Sequence, residues 1–223
     1  MHLPVLGLHF NMYCNNCICQ PCWNGRGTLF SIERGKGNED EAKKLLGNSF
    51  SLLIILGLLT GVTGLIFKKP LLYLLGASSA TFDYANQYIT IYLCGTIFVM
   101  SSLGLNSFIN AQGFARTGML TVSIGAACNL ILDPVFIFIL GMGVKGAALA
   151  TIISQFIAAL WTFTFLTGKK TIIKIEKDCL IPNFKRTMKY LDSDFQALQC
   201  QLQTVPYRWS TTLFFLYGAA TYT

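Results

Sequence analysis

Apolar and polar positions alternate along this chain on a membrane length scale. Four apolar stretches, Leu45 to Phe67, Tyr88 to Ala111, Met119 to Leu140 and Val144 to Thr167, are separated by short polar or basic connectors. A bilayer hydrocarbon core about 30 Å thick needs ~20 helical residues to cross it. Each stretch is long enough, so the pattern predicts an all-α, polytopic membrane helix bundle. Gly57 and Gly61 are four apart in the first span, and Gly146, Ala147, Ala148 and Ala150 line the start of the last. Small side chains at that spacing let helix backbones approach closely where lipid gives little hydrophobic drive for association.

Composition agrees with the spans. The 223 residues are 53% hydrophobic and only 12% charged, with mean hydropathy +0.52, too apolar for a soluble domain. A net charge of +7 raises nucleic acid as a partner. The basic residues, however, lie between the spans and form neither a basic face nor an aromatic-interleaved module, which argues against that partner.

Those residues orient the bundle instead. The stretch before the first span carries Arg26, Arg34, Lys36, Lys43 and Lys44, and the one after the last carries Lys169, Lys170, Lys174, Lys177, Lys185, Arg186 and Lys189. Four crossings put both ends on one side, together with Arg116 of the second connector. The other side offers Lys68, Lys69 and Lys145. The positive-inside bias makes the more basic side cytoplasmic in a multi-pass cell-membrane protein. Lys169 to Arg186, with isoleucines among its lysines, reads either as a surface helix on the headgroups or as a solvated connector.

One charge stands out. Of ten Asp and Glu residues, nine fall in connectors or ends, and only Asp133 lies inside a span. A carboxylate at the centre of a membrane helix costs about 2.5 to 3.5 kcal/mol on insertion scales, so it normally faces a polar cavity and has a function. Asn129 lies one turn earlier on the same face. Pro134 follows, and a proline inside a helix frees the carbonyl four residues back, that of Leu130. An amide oxygen, a carboxylate and a freed peptide carbonyl are hard donors suited to a small cation, or the carboxylate itself takes a proton. Two bland alternatives stand beside this: Asp133 as a helix cap with Pro134 at the first helical position, and a structural interhelical hydrogen bond.

Two motif matches are weaker. Gly141-Met142-Gly143-Val144-Lys145-Gly146 fits a dinucleotide-binding fingerprint, but no acidic residue follows before Glu176, and the preceding apolar run is too long for a strand. A tight turn between spans is the better reading. Cys14, Cys17, Cys19 and Cys22 suggest a metal or iron–sulfur centre, yet a single residue between the middle pair departs from the usual spacings. Structural disulfides are not expected in this setting. With His2 and His9 both near the start, no nucleophile, base and orienting group can be assembled, so no enzyme is expected.

Several motifs in order carry a family resemblance. Asn129-Leu-Ile-Leu-Asp-Pro-Val-Phe-Ile-Phe138, then Gly141 to Thr151 and Ser154-Gln155, resemble the fifth and sixth helices of the multidrug and toxic compound extrusion (MATE) family. Asn106-Ser-Phe-Ile-Asn-Ala-Gln-Gly113 with Arg116 is similar to the end of its fourth helix and the next turn. Gly27 to Asn38 with Ala42 resembles the close of the second helix and its loop. The resemblance spans about Gly25 to Lys170.

It implies part of the N-terminal lobe of a two-lobe antiporter that exports cationic amphiphilic compounds in exchange for Na+ or H+, with no other cofactor. Its lobes rock about a central cavity. The resemblance also implies a cation site at Asn129, Asp133 and Thr151, the last resting on the resemblance alone. Residues 25–189 are then the partial lobe. Residues 1–24 and 190–223 are atypical, and the family's first-helix acid has no counterpart before Gly25; both ends are expected to reflect reading-frame shifts or faulty gene calling in a longer transporter gene, which translating the flanking DNA in the other two frames tests. Neither a signal peptide near the start nor a span in the short apolar stretch Trp209 to Ala220 is expected. A transport-incompetent membrane fragment and a cysteine-based metal-binding membrane protein are the alternatives. Whether a second copy could pair to stand in for a second lobe stays open.

Overall fold

The computed structural model describes residues 20–74, 82–168 and 171–174. Cys14, Cys17 and Cys19, the side chain of Cys22, the stretch Trp209 to Ala220 and all of the connector Lys169 to Arg186 except 171–174 lie outside them.

Seven α-helices follow in order among the described residues: α1 Gln20–Gly35, α2 Glu39–Ile66, α3 Lys68–Leu74, α4 Phe82–Cys94, α5 Thr96–Ala111, α6 Ala115–Pro134 and α7 Val144–Thr167. A π-helical segment, Val135–Ile139, extends α6. Three of these units, α2, α6 with its π segment, and α7, are long and apolar enough to cross a membrane, and α4 with α5, bent by 53° at the break between them, makes a fourth if the pair is one span. The bend falls at Gly95, where a Cβ would sit 2.4 to 2.8 Å from Ile152 side-chain atoms of α7. Only a glycine lets the kinked chain pass that close.

The polar ends of the helices have local causes. Helix α2 starts with Glu39, Asp40 and Glu41, negative charges suited to the positive end of its dipole. Helix α1 holds a different surprise: Arg26, counted above with the connector cations, is fully buried in this helix, which packs on α2 and α5. That leaves Arg34, Lys36, Lys43 and Lys44 to mark the basic side ahead of the first apolar stretch.

Packing follows the small residues. Gly57 approaches Ile97 of α5, where a Cβ would meet Cγ1 at 3.2 Å, and Gly61 approaches the Leu93 carbonyl of α4 at the same distance. Leu53, Met100, Leu105, Ile109 and Leu166 form the central apolar core. A second cluster joins Phe30, Leu45, Leu46, Phe108 and Ile173 at the α1 end. Outward faces are apolar too, with Leu58 and Leu59 of α2 and Leu130 and Ile131 of α6 all more than half exposed. In water such surfaces would be a liability, whereas in a bilayer they are the solvent-facing side.

Candidate functional site

Helix α6 presents Thr121, Gly125, Asn129 and Asp133, spaced by four, to the interior. That stripe faces Ala147, Thr151 and Gln155 of α7, Ser102 and Asn106 of α5, and Tyr88 of α4 across a cavity of about 460 Å³. The volume lies within the range of roughly 300 to 1,000 Å³ typical of small-molecule pockets. Asn129, Asp133 and Thr151 all line it.

The hydrogen bonds order the stripe. Thr151 Oγ1 donates to the Ala147 carbonyl at 2.9 Å, so its lone pairs turn outward, and Asn129 Nδ2 donates to that oxygen at 3.4 Å. Asn129 is thereby held with its Oδ1 available as an acceptor. Asp133 sits one turn further along, and its Oδ1 is buried with no hydrogen-bond partner among the described residues. An ionised carboxylate oxygen shielded from water and left without a donor is costly unless a proton or a cation meets it. A carboxylate, an amide oxygen and a hydroxyl are a hard oxygen set, chemically suited to a small hard cation or a proton. Tyr88 also lines this cavity, beside Asp133 and Thr151.

Pro134 shapes the same region. It keeps helical angles, φ −64° and ψ −32°, and the chain widens immediately into the π segment, with Leu140 N–H donating to Val135 O at 3.0 Å. A proline lacks the N–H and crowds the preceding turn, and a wider turn accommodates both. Asp133 therefore lies inside a continuous helix and does not cap a new one; the Val135 N–H goes to the Leu132 carbonyl. The π segment packs against α7 where Gly146 would bring a Cβ to 2.7 Å from the Phe136 carbonyl oxygen.

Sequence reasoning missed the inner half of the cavity. Ser102 Oγ donates to Gln155 Oε1 at 2.6 Å, linking α5 to α7, and Asn106 Oδ1 is a second buried acceptor without a hydrogen-bond partner. A signal was present: Ser102 and Asn106, and likewise Thr151 and Gln155, are polar pairs four apart inside apolar spans. Among the described residues no group of three or more His, Cys, Asp or Glu could hold a metal ion, and Cys94 and Cys128 are free thiols.

Comparison with known proteins matches this architecture. The family model described as MatE matches residues 24–135, half of the chain. A multidrug export protein, MepA, from Staphylococcus haemolyticus is 35% identical over 147 residues, covering 65% of this chain and 32% of that protein. An inward-facing structure of a multidrug resistance MATE family transporter superposes with a TM-score of 0.79 at 25% identity, covering 88% of this chain and 45% of that one. An outward-facing structure gives 0.80 at 26% identity, covering 98% of this chain and 48% of that one. The chain thus spans about a third of the curated relative and under half of the solved carriers. With a matching family model over half its length and an all-α membrane bundle of the same fold, the chain belongs to the multidrug and toxic compound extrusion family.

Proposed function

We propose that this chain supplies the cation-coupling part of an N-terminal lobe, within residues 25–189, in a secondary antiporter that exports cationic amphiphilic compounds in exchange for Na+ or H+. The observation that carries the reading is the buried, unpartnered Oδ1 of Asp133, one helical turn from an Asn129 already held by Thr151. A sodium ion or a proton on Asp133 cancels the only carboxylate within the four apolar stretches, Leu45 to Phe67, Tyr88 to Ala111, Met119 to Leu140 and Val144 to Thr167. Without it, the charge favours an arrangement that admits water to the cavity. The bound cation therefore has different affinities for the two arrangements, and that difference shifts their populations. Near-equal likeness to inward- and outward-facing carriers supports a bundle that rocks as a body between the two states.

The substrate class follows from the cavity. Its mixed lining of small apolar residues with a few amides and hydroxyls suits an amphiphile, and an ionised Asp133 suits a positive charge. The exported compound and the coupling cation would then compete for one acid. The basic connectors face the cytoplasm in this scheme.

The chain covers 32% of the MepA relative and under half of the solved carriers, and alternating access needs two lobes, so export is proposed for a two-lobe assembly that includes this chain. Efflux complementation by that assembly in a drug-sensitive strain tests the reading. The carrier reading expects export that Asp133→Asn abolishes, and imposing a sodium or a pH gradient on vesicles identifies the ion. Export unaffected by Asp133→Asn overturns the coupling role of that acid.

A further inference from the structure

The motif Asn106 to Gly113 has a member that the cation site does not use. Gln112 is the C-terminal residue of the turn that ends α5, and it is 2% exposed. Gly113, at φ +88°, takes the left-handed conformation that closes this helix end, with its N–H on the Asn110 carbonyl and the Phe114 N–H on the Ile109 carbonyl. The turn spends those amides on the helix and leaves the Gln112 side chain directed away from it. Its Oε1 accepts from the Ile172 and Ile173 N–H groups at 3.2 Å each, and its Nε2 donates to the Ile173 carbonyl at 3.3 Å.

We infer that Gln112 is a clamp that fastens the irregular segment 171–174, beyond α7, to the basic end of the bundle. One neutral amide pairs with three peptide groups of that segment. The Ile173 side chain completes the attachment, fully buried among Phe30, Ala42, Leu45, Leu46 and Phe108 from α1, α2 and α5. Thr171 Oγ1 also donates to the Phe165 carbonyl of α7. On the same side of the bundle, Arg34 Nη1 donates to the Ala111 carbonyl at 3.4 Å, tying α1 to the end of α5. The polypeptide therefore leaves from a point fixed to α1, α2, α5 and α7. A segment that continues beyond residue 174 then moves with the bundle from this anchored point.

The residue type is specific. Glutamate in place of glutamine keeps the acceptor for two N–H groups but faces the Ile173 carbonyl without a proton, and methionine keeps the length while offering neither function. The clamp is separate from the coupling-ion reading and stands if that reading fails.

Hydrogen–deuterium exchange on the purified chain in detergent micelles tests it. The Ile172 and Ile173 amides exchange about tenfold or more slowly in the wild type than in Gln112→Met, with Gln112→Glu retaining most of the amide protection. Equal exchange in the wild type and Gln112→Met, with helicity unchanged, overturns the clamp. Should Gln112→Met not fold, the wild type decides: exchange at the rate of an unstructured peptide also overturns it, and protection of both amides upholds it.

Discussion

Replacing Gly146 by alanine probes the contact that sets α7 against the π segment beyond Asp133. The new methyl would stand 2.7 Å from the Phe136 carbonyl oxygen, 2.8 Å from its carbonyl carbon and 3.0 Å from its Cβ. Two of those atoms are backbone, so the helix or the π segment must move. Overpacking of this kind costs about 1 to 3 kcal/mol, and backbone contact places the cost in the upper half of that range. Alanine returns up to ~1 kcal/mol of helix propensity, leaving a net loss of roughly 1 to 2 kcal/mol. Gly125→Ala is the internal control, because its methyl would meet only the Ala158 Cβ at 3.5 Å, an ordinary contact beside the cavity. That substitution is neutral or stabilising by up to ~1 kcal/mol. The two variants thus differ by about 2 kcal/mol, roughly 30-fold in folded-to-unfolded ratio. Reversible unfolding of the purified chain in mixed micelles, followed by circular dichroism, reads the difference. Gly146→Ala equal to or more stable than the wild type refutes the packing argument. The displacement has a functional reading as well, since Ala147 anchors Thr151 and the 3.4 Å bond from Asn129 has little slack.

Three further outcomes follow from the same contacts. Thr151→Val keeps the shape but removes the oxygen that accepts from Asn129, so cation affinity falls while helicity is retained, and unfolding shows a loss of about 1 to 3 kcal/mol from the unpaired amide. Ser102→Ala withdraws the donor from Gln155 Oε1 and costs about 0.5 to 1.5 kcal/mol in the same unfolding assay; no loss would mean the 2.6 Å bond carries no net stability. Glu41→Gln breaks an exposed pair with Lys44 at 3.2 Å, one helical turn apart, and changes stability by less than ~0.5 kcal/mol, a negative control for surface electrostatics.

Hydropathy makes the bundle legible because burial in lipid selects long apolar runs, and α7 illustrates it: its first residue follows the Gly141 to Gly143 turn and its last precedes Gly168. Where polar residues belong to a helix, hydropathy is silent. Glu39 to Lys44 open α2 ahead of its apolar part, and Phe82 to Gln87, with Asp83 and Asn86, open α4 ahead of Tyr88. The 53° bend falls at Gly95, which packs against Ile152, distant in sequence, and hydropathy does not announce that contact. The widened turn after Pro134 is a middle case, since proline signals a disturbance but not whether the helix stops or widens.

The site shows the same division. Asp133 and Asn129 are visible as polar residues one turn apart in an apolar span, and Thr151 comes from the family resemblance; the structure brings all three to one cavity. Tyr88, Ser102 and Gln155 join them only through the packing of α4, α5 and α7. Hydroxyls and amides are common in membrane helices as packing groups, so their types alone do not separate cavity from interface. Arg26 gives the opposite lesson: its charge counts toward topology in the sequence, while the fold places it inside the bundle.

Infrared difference spectroscopy on the purified chain in lipid addresses the central claim, that Asp133 takes up the coupling cation. Adding sodium at fixed pH, or lowering pH without sodium, perturbs a carboxylate or carboxylic-acid stretch in the wild type, and that band is absent in Asp133→Asn and shifted in Thr151→Val. An Asp133 band that responds to neither sodium nor protons, in a chain of unchanged helicity, contradicts the account.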